Sequence, residues 1–361
     1  RVLASMDLLG DITPSVKIQA SVSYPLIRAA IQCMTVHAVP ELKPKAVSLI
    51  SSLYTSYPDL RENILDDTFG TLIPYLGVGR KCRRDVPLPS EAGTMESVNV
   101  MTALLVQLVQ GCAIMPLNSS PEAIRSAYAA CISTADDFWA RCMGCIGSAR
   151  AMRMESDADF VCVMVGMVQD LLQISCSKYW PSASTILIRL VTNLNSCMGL
   201  LSPDPVVRQF CVDVLGKILS AVHKDSARLA TSADRLDDVV SEVGNENISE
   251  AAVELVLKIL QSSDASSAAS ARLFLCLRTL CEDLGKFEAS SQNLDDLHDH
   301  ASELLAAAND TLSSYAATSC ENTLSQEDVT LVMKVTVHQQ FLTAAPAMLS
   351  WLLEIIDSKK Q

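Results

Sequence analysis

The chain has few aromatic residues, few histidines and no excess of positive charge, and each scarcity argues against a class of protein. Aromatic residues make up 5% of its 361 residues, whereas the hydrophobic fraction reaches 49%. A β-sandwich would need more aromatic side chains in its core, so the composition favours closely packed helices. Five histidines provide little material for catalytic sites. The net charge of −13 argues against a protein that coats nucleic acid, although a local cluster of cations can still bind DNA.

The sequence also lacks the marks of secretion and of a membrane span. No basic-then-apolar leader opens it, and its thirteen cysteines are scattered through apolar runs, where a thiol acts as a small hydrophobic side chain. We therefore expect a reducing compartment, the cytosol or the nucleus. The uncharged stretch between Glu96 and Glu122 contains several Asn, Gln, Ser and Thr residues, which favours a buried helix over a span of about 20 apolar residues. Because the chain begins at Arg1 and not at a methionine, we expect a fragment of a longer protein.

Apolar residues recur at the three- and four-residue spacing of α-helices along nearly the whole chain. Met101 to Cys112 and Val207 to Val222 each carry one apolar stripe, and proline or glycine residues separate such runs. Strand-like alternation is almost absent. The pattern predicts roughly fourteen helices. Among them, three pairs are compatible with helical hairpins: 41–55 with 58–75, 157–176 with 181–200, and 247–262 with 267–285. The helices are joined by short turns, apart from a longer, polar and basic loop near residues 79–94.

Helices in series form either a closed bundle or an open solenoid, and one segment favours the solenoid. The sequence DPVVRQFCVDVLG, which begins at Asp204, fits the second helix of a HEAT repeat. Asp204 and Pro205 suit a helix start, and Arg208 can reach an acid or a carbonyl group on the neighbouring repeat. The predicted buried stripe consists of Val207, Cys211 and Leu215. We therefore predict an all-α fold, a HEAT-like α-α superhelix of antiparallel helix pairs that forms one continuous array over residues 1–361.

Several blocks of sequence occur in a characteristic order. They are LYTSYPDLRENILDDTFGTLIPYLGVGRKCRRDVPL at 53–88, MESVNVMTALLVQLVQGCAIMP at 95–116, MVQDLLQISCSKYWPSASTILIRLV at 167–191, and the HEAT-type segment continuing into GKILSAVHKDSARL at 216–229. Taken together, these blocks resemble the middle segment of the cohesin loader large subunit, the Nipped-B/adherin family of sister chromatid cohesion proteins.

This resemblance implies a hook-shaped HEAT scaffold on chromosomes in the nucleus, without an enzymatic activity or a cofactor of its own. It implies that the protein binds DNA and the cohesin complex, including its ATPase and kleisin subunits, stimulates the cohesin ATPase and promotes cohesin loading onto chromatin. A small superhelical loader subunit would bind regions outside this chain. The alternative is another HEAT-repeat adaptor, such as a nuclear transport receptor or a phosphatase or kinase scaffold.

A cluster of cations in the predicted loop is the candidate contact with DNA or cohesin. Four positive charges within five residues can bind phosphate groups or an acidic face of a partner. A solvated loop without a partner is the alternative interpretation, and the family resemblance favours a contact. The cluster, called the basic cluster below, consists of Arg80, Lys81, Arg83 and Arg84.

Other patterns do not predict a catalytic or metal site. The pair Cys142 and Cys145 forms a CxxC, but zinc needs further ligands and a redox motif needs a βαβ context, so buried helix cysteines are the better interpretation. On a helix, His298 and His300, which follow Asp295 and Asp296, point about 200° apart. The GVGRK sequence at 77–81 lacks the spacing of a phosphate-binding loop.

Three further patterns predict structure rather than chemistry. Adjacent aspartates diverge on a helix and make poor acid–base partners. The acidic stretch at 281–310 is a solvated face or, alternatively, a docking surface for a basic partner. Trp180 and Pro181 suit a helix start against which an indole packs. The adjacent aspartates are Asp66 with Asp67, Asp136 with Asp137, and Asp237 with Asp238.

Overall fold

The computed structural model consists largely of α-helices in the part of the chain that it describes. The described residues are 2–15, 18–36, 38–76, 84–89, 95–114, 121–148, 157–177, 179–194, 202 and 204–230, with single positions at 271, 274, 275, 278, 334, 337 and 341. The helices in these ranges are α1 (Val2–Ile12), α2 (Ala20–Met34), α3 (Leu42–Ser56), α4 (Arg61–Leu76), α5 (Val100–Gly111), α6 (Pro121–Ser148), α7 (Asp157–Ile174), α8 (Ser182–Leu194) and α9 (Pro205–Ala230).

The helices pack mainly against helices close to them along the chain, as repeats of a solenoid do. Helix α3 lies against α1, α2 and α5, and α6 lies against α5 and α8, while α7 contacts α8 and α9. One continuous apolar core runs through these contacts. The predicted all-α solenoid is confirmed.

Helix α5 is the predicted buried helix, and nearly all of its residues are buried. The Asn99 side chain caps it by accepting a hydrogen bond from the Met101 backbone N–H, which satisfies one of the free amides at a helix start. Its last residue, Gly111, allows close approach to α3, because a Cβ there would lie 2.7 Å from the Thr55 methyl carbon. Among the helices that the structure describes, none combines the length and apolar character that a membrane crossing requires.

The HEAT-type segment forms the start of α9, as predicted. Val207, Cys211 and Leu215 are all buried. Arg208 donates a hydrogen bond to the Ser202 carbonyl oxygen, at 2.7 Å, so this contact reaches the turn that precedes its own helix. The prediction placed the partner of Arg208 on the neighbouring repeat, whereas the Ser202 carbonyl lies only six residues before Arg208.

The predicted loop at 79–94 is partly wrong, because residues 84–89 within it form a strand that pairs with a second strand just after it. Strand β1 (Arg84–Pro89) pairs antiparallel with β2 (Met95–Asn99), and β2 leads directly into α5. Both strands are short, and prolines cannot donate ladder hydrogen bonds, so Pro87 and Pro89 hide the strand pattern. The two strands are called the hairpin below.

Candidate functional site

The basic cluster lies between the end of α4 and the start of the hairpin. Arg80, Lys81 and Arg83 fall outside the described residues. Arg84 is described and is the first residue of β1. The site is therefore described below through the hairpin, which follows these cations in sequence.

Arg84 forms an ion pair with a fully buried carboxylate. Its Nε lies 2.6 Å from Oδ1 of Asp170 on α7, and the Asp170 side chain is 0% exposed, against 41% for Arg84. The other oxygen, Oδ2, accepts hydrogen bonds from the Asn99 backbone N–H at 2.8 Å and from the Thr102 hydroxyl at 3.0 Å. Asp170 thus joins β1, the end of β2, the start of α5 and α7 at one point.

Burial raises the pKa of Asp170 above its ordinary value of 3.8, although the Asn99 amide, the Arg84 charge and the Thr102 hydroxyl each lower it. Removal of the carboxylate from water has the largest influence on its pKa, as expected for a charge in a low-dielectric core. The close ion pair with Arg84 offsets only part of the effect of burial. Asp170 therefore fixes the position of the hairpin, although the burial of its negative charge is itself unfavourable.

A second ion pair follows at the next residue of β1. Asp85 accepts from the Lys43 ammonium group of α3, whose side chain is 4% exposed. At the other end of β1, the Trp180 indole N–H donates to the Pro89 carbonyl oxygen at 3.0 Å. Trp180 is buried, so the prediction that it is architectural is confirmed. The hairpin is anchored to α3, to α7 and to the turn before α8.

Apolar residues complete the attachment of the hairpin. Val86 and Leu88 on β1 and Val98 on β2 are at most 1% exposed. Two ion pairs, one indole hydrogen bond and three buried side chains hold a sheet of only two strands, which would be marginal alone. The basic residues that precede Arg84 are consequently attached to a fixed element of the fold.

Arg84 is not a free cation of a solvated loop. Its guanidinium is paired with Asp170, and its side chain is 41% exposed. The sequence reasoning missed Asp170 and Lys43 as members of the site. A single acid within the apolar run MVGMVQDLLQI was the available signal, because buried carboxylates require partners.

The remaining chemical candidates also have structural roles where they are described. Burial raises the pKa of the Cys142 thiol well above its ordinary value, which keeps it protonated and unreactive. Among the described residues, no group of three or more His, Cys, Asp or Glu side chains is placed to hold a metal ion. The histidines at 298 and 300 and the acidic stretch at 281–310 lie outside the described residues.

Two of the adjacent aspartate pairs diverge as predicted. Asp66 on α4 pairs with Arg141 of α6 at 2.9 Å, whereas Asp67 approaches Arg28 of α2 at 3.4 Å. Asp136 on α6 accepts two hydrogen bonds from the guanidinium of Arg189 on α8, whereas the exposed Asp137 accepts from Ser133 of its own helix. Three of these acids form contacts between helices, and the fourth, Asp137, accepts a hydrogen bond within its own helix. The pair Asp237 and Asp238 lies outside the described residues.

Stacked helices with an inserted hairpin define an α-solenoid, a class in which neighbouring helix pairs share a continuous core. In sequence, the chain is similar to the Nipped-B-like protein of Mus musculus, with 22% identity over 256 residues, 66% of this chain and 9% of that protein. It is 30% identical over 105 residues to the Nipped-B-like protein scc-2 of Caenorhabditis elegans, 29% of this chain and 5% of that protein. No family model matches the chain.

The fold is similar to that of a solved structure, the C-terminal fragment of the Chaetomium thermophilum cohesin loader SCC2. The TM-score is 0.69 with 16% sequence identity, and the match covers 98% of this chain and 30% of that one. The resemblance to the cohesin loader large subunit is thus confirmed. The chain spans only about a tenth of the length of the Nipped-B-like relatives.

Proposed function

We propose that this chain is a scaffold segment of a cohesin loader large subunit, and that it works by binding rather than by chemistry of its own. The observation that carries the proposal is the agreement of two similarities, to Nipped-B-like proteins in sequence and to a cohesin loader fragment in fold. In this role it binds cohesin and DNA in the nucleus, stimulates the cohesin ATPase and promotes cohesin loading onto chromatin. The small loader subunit binds outside this chain.

The anchored hairpin supports a contact at the basic cluster. The segment that carries Arg80, Lys81 and Arg83 is followed by Arg84, which is paired with the buried Asp170. A binding segment whose end is attached to a fixed element loses less entropy on binding than one that is free at both ends. Several weak contacts of this type along a scaffold reinforce one another through their effective concentration.

The proposed function is tested by co-purification with two sets of purified baits. We expect the chain to retain the ATPase heads or the kleisin subunit of cohesin, and not a small GTPase loaded with its nucleotide. A nuclear transport receptor would give the opposite result. Retention of the GTPase without any cohesin subunit would refute the loader role.

Charge reversal of the basic cluster tests the DNA contact. We expect the triple variant Arg80→Glu, Lys81→Glu, Arg83→Glu to bind duplex DNA at least about tenfold more weakly, because phosphate contacts are lost. Each lost contact also removes about 0.9 from the slope of log K against log salt concentration. DNA-stimulated ATPase activity of cohesin should decrease in parallel. Arg84 stays unchanged, since its substitution also disturbs Asp170. Fluorescence anisotropy at several salt concentrations measures the DNA affinity and its salt slope.

A variant with the same change of charge elsewhere provides the control for this test. Arg28, Lys45 and Arg141 form surface ion pairs with acids on neighbouring helices, and pairs of this kind contribute little to stability. Their reversal to glutamate should leave DNA affinity closer to that of the wild type. Equal DNA binding and equal ATPase stimulation in wild type and triple variant would remove the basic cluster from the function.

A further inference from the structure

A shallow groove runs between the outward faces of α7 and α9. It contains two neighbouring cavities, of about 300 Å³ and about 500 Å³, and Gln169 of α7 lines both. The floor is built from small or apolar side chains. These include Val165 and Gly166 on α7, and Val212 and Gly216 on α9. A Cβ added at Gly216 would meet nothing within 4 Å, so the floor there is open.

The rim of the groove is positively charged, in contrast to the chain as a whole. Arg84 lines the smaller cavity, and Lys217 and Lys224 line the larger one. Asp213, which accepts a hydrogen bond from Gln209, is the one acidic side chain among the lining residues that the structure describes. Arg84 is already paired with the buried Asp170, so Lys217 and Lys224 provide most of the positive charge of this rim, in a protein whose net charge is −13.

We infer that this groove docks an acidic amphipathic helix of a partner protein. Charge complementarity favours an anionic partner, and the apolar floor favours a peptide over nucleic acid, whose interfaces are more polar. Lys217 and Lys224 are seven positions apart on one helix, about 10 Å along its axis. Two carboxylates seven residues apart on a partner helix lie on one face at the same spacing, beside apolar residues that enter the floor. The groove is separate from the basic cluster apart from Arg84, and its occupant does not depend on the loader role.

The test measures binding of a designed, fluorescently labelled helix of about 18 residues. Its leucines form one stripe and its glutamates flank that stripe at seven-residue spacing. Two variants of the chain remove different halves of the recognition. Lys217→Glu with Lys224→Glu reverses the rim, and Gly216→Trp fills the floor from a position with open space above it. We expect each to weaken binding at least about tenfold, as loss of a central contact in an interface does.

Matched controls separate the groove from general charge and folding effects. Arg28→Glu with Lys45→Glu changes the net charge equally, on α2 and α3, and should keep wild-type affinity. Gly216→Ala adds a Cβ without filling the groove and should also bind normally. A second probe with glutamine in place of glutamate should bind more weakly to the wild type. Circular dichroism confirms that the variants remain helical.

Three results would overturn the inference. One is the absence of binding of the acidic helix to the wild-type chain. Another is equal affinity of the wild type and both groove variants for that helix. A third is loss of duplex DNA binding in the groove variants with peptide binding retained, which would make the groove a nucleic-acid surface. Because the probe is a designed peptide, failure of the cohesin co-purification leaves this result unaffected.

Discussion

Replacement of Trp139 by alanine is expected to lower the free energy of unfolding by about 4 kcal/mol. Trp139, on α6, is fully buried, and its indole N–H donates to the Ile186 carbonyl oxygen of α8 at 3.0 Å. Its ring packs edge-on against Phe138, which in turn packs edge-on against Phe69 of α4, with ring centroids 4.9 Å apart. In a chain with few aromatic residues, these three rings join α4 to α6, and the indole hydrogen bond joins α6 to α8. Truncation of Trp139 leaves a cavity, and in a solenoid with only local contacts no distant side chain can fill it.

Two further substitutions separate the cavity from the hydrogen bond. Trp139→Phe keeps most of the ring volume and loses the N–H donor, so we expect about half the effect of the alanine variant. Tyr24→Ala removes an aromatic side chain that is 40% exposed and should cost less than about 1 kcal/mol. Urea unfolding followed by circular dichroism measures all three. An alanine variant at position 139 as stable as the variant at position 24 would contradict the assigned role.

The helices could be predicted from sequence because their burial pattern is local. In α9, Val207, Cys211 and Leu215 stand at four-residue spacing, and all three are buried. The predicted pair at 41–55 and 58–75 corresponds to α3 and α4, with a 3-10 turn at Pro58–Leu60. A second predicted pair at 157–176 and 181–200 corresponds to α7 and α8. A third, at 247–262 and 267–285, lies almost wholly outside the described residues.

The hairpin could not be predicted, because the contacts that hold it are distant in sequence. Residues 84–89 read Arg-Asp-Val-Pro-Leu-Pro, in which two prolines indicate a loop. What makes this segment a strand is the buried carboxylate of Asp170, the buried ammonium group of Lys43 and the indole of Trp180. Such partners belong to three other helices or turns, and no periodicity connects them. Strand formation here depends on tertiary contacts more than on local preference.

The candidate site could be predicted only in part, again because some of its contacts are distant in sequence. A cluster of cations is visible in the sequence alone, but the ion pair of Arg84 is not, because its partner is a carboxylate on α7 that is distant in sequence. The divergence of Asp66 from Asp67 followed from helix geometry. Their partners, Arg141 and Arg28, required the packing of α4 between α6 and α2.

Removal of the Asp170 carboxylate is expected to have the second largest effect, about 3 kcal/mol for Asp170→Ala. The substitution leaves the Asn99 amide and the Thr102 hydroxyl without their buried acceptor, and each unsatisfied group costs about 1 to 3 kcal/mol. Arg84, which is 41% exposed, can turn towards water and limits the total. The exposed Asp137 provides a matched control, and its alanine variant should be nearly as stable as the wild type.

A double-mutant cycle isolates the ion pair from the other contacts of Asp170. Arg84→Ala alone should cost less than Asp170→Ala, because the carboxylate keeps its two hydrogen-bond donors. The double variant should cost less than the sum of the two single variants, since the pair is counted once in each. Additive effects would show that Arg84 and Asp170 do not stabilise each other, and the hairpin would then be held by its other contacts.

The pH dependence of Asp170→Asn, which cannot titrate, tests the balance of forces on the buried carboxylate. Because burial raises the pKa of Asp170, the folded protein binds a proton there more readily than the unfolded chain does. By linkage, this contribution to stability is largest below the ordinary value of 3.8 and decreases as pH rises through the raised pKa. Urea unfolding across that window should therefore show the wild type losing stability relative to the asparagine variant as pH increases. The reverse trend would mean that the attraction of Arg84 outweighs the cost of burial, and that the hairpin is held by a favourable charge pair.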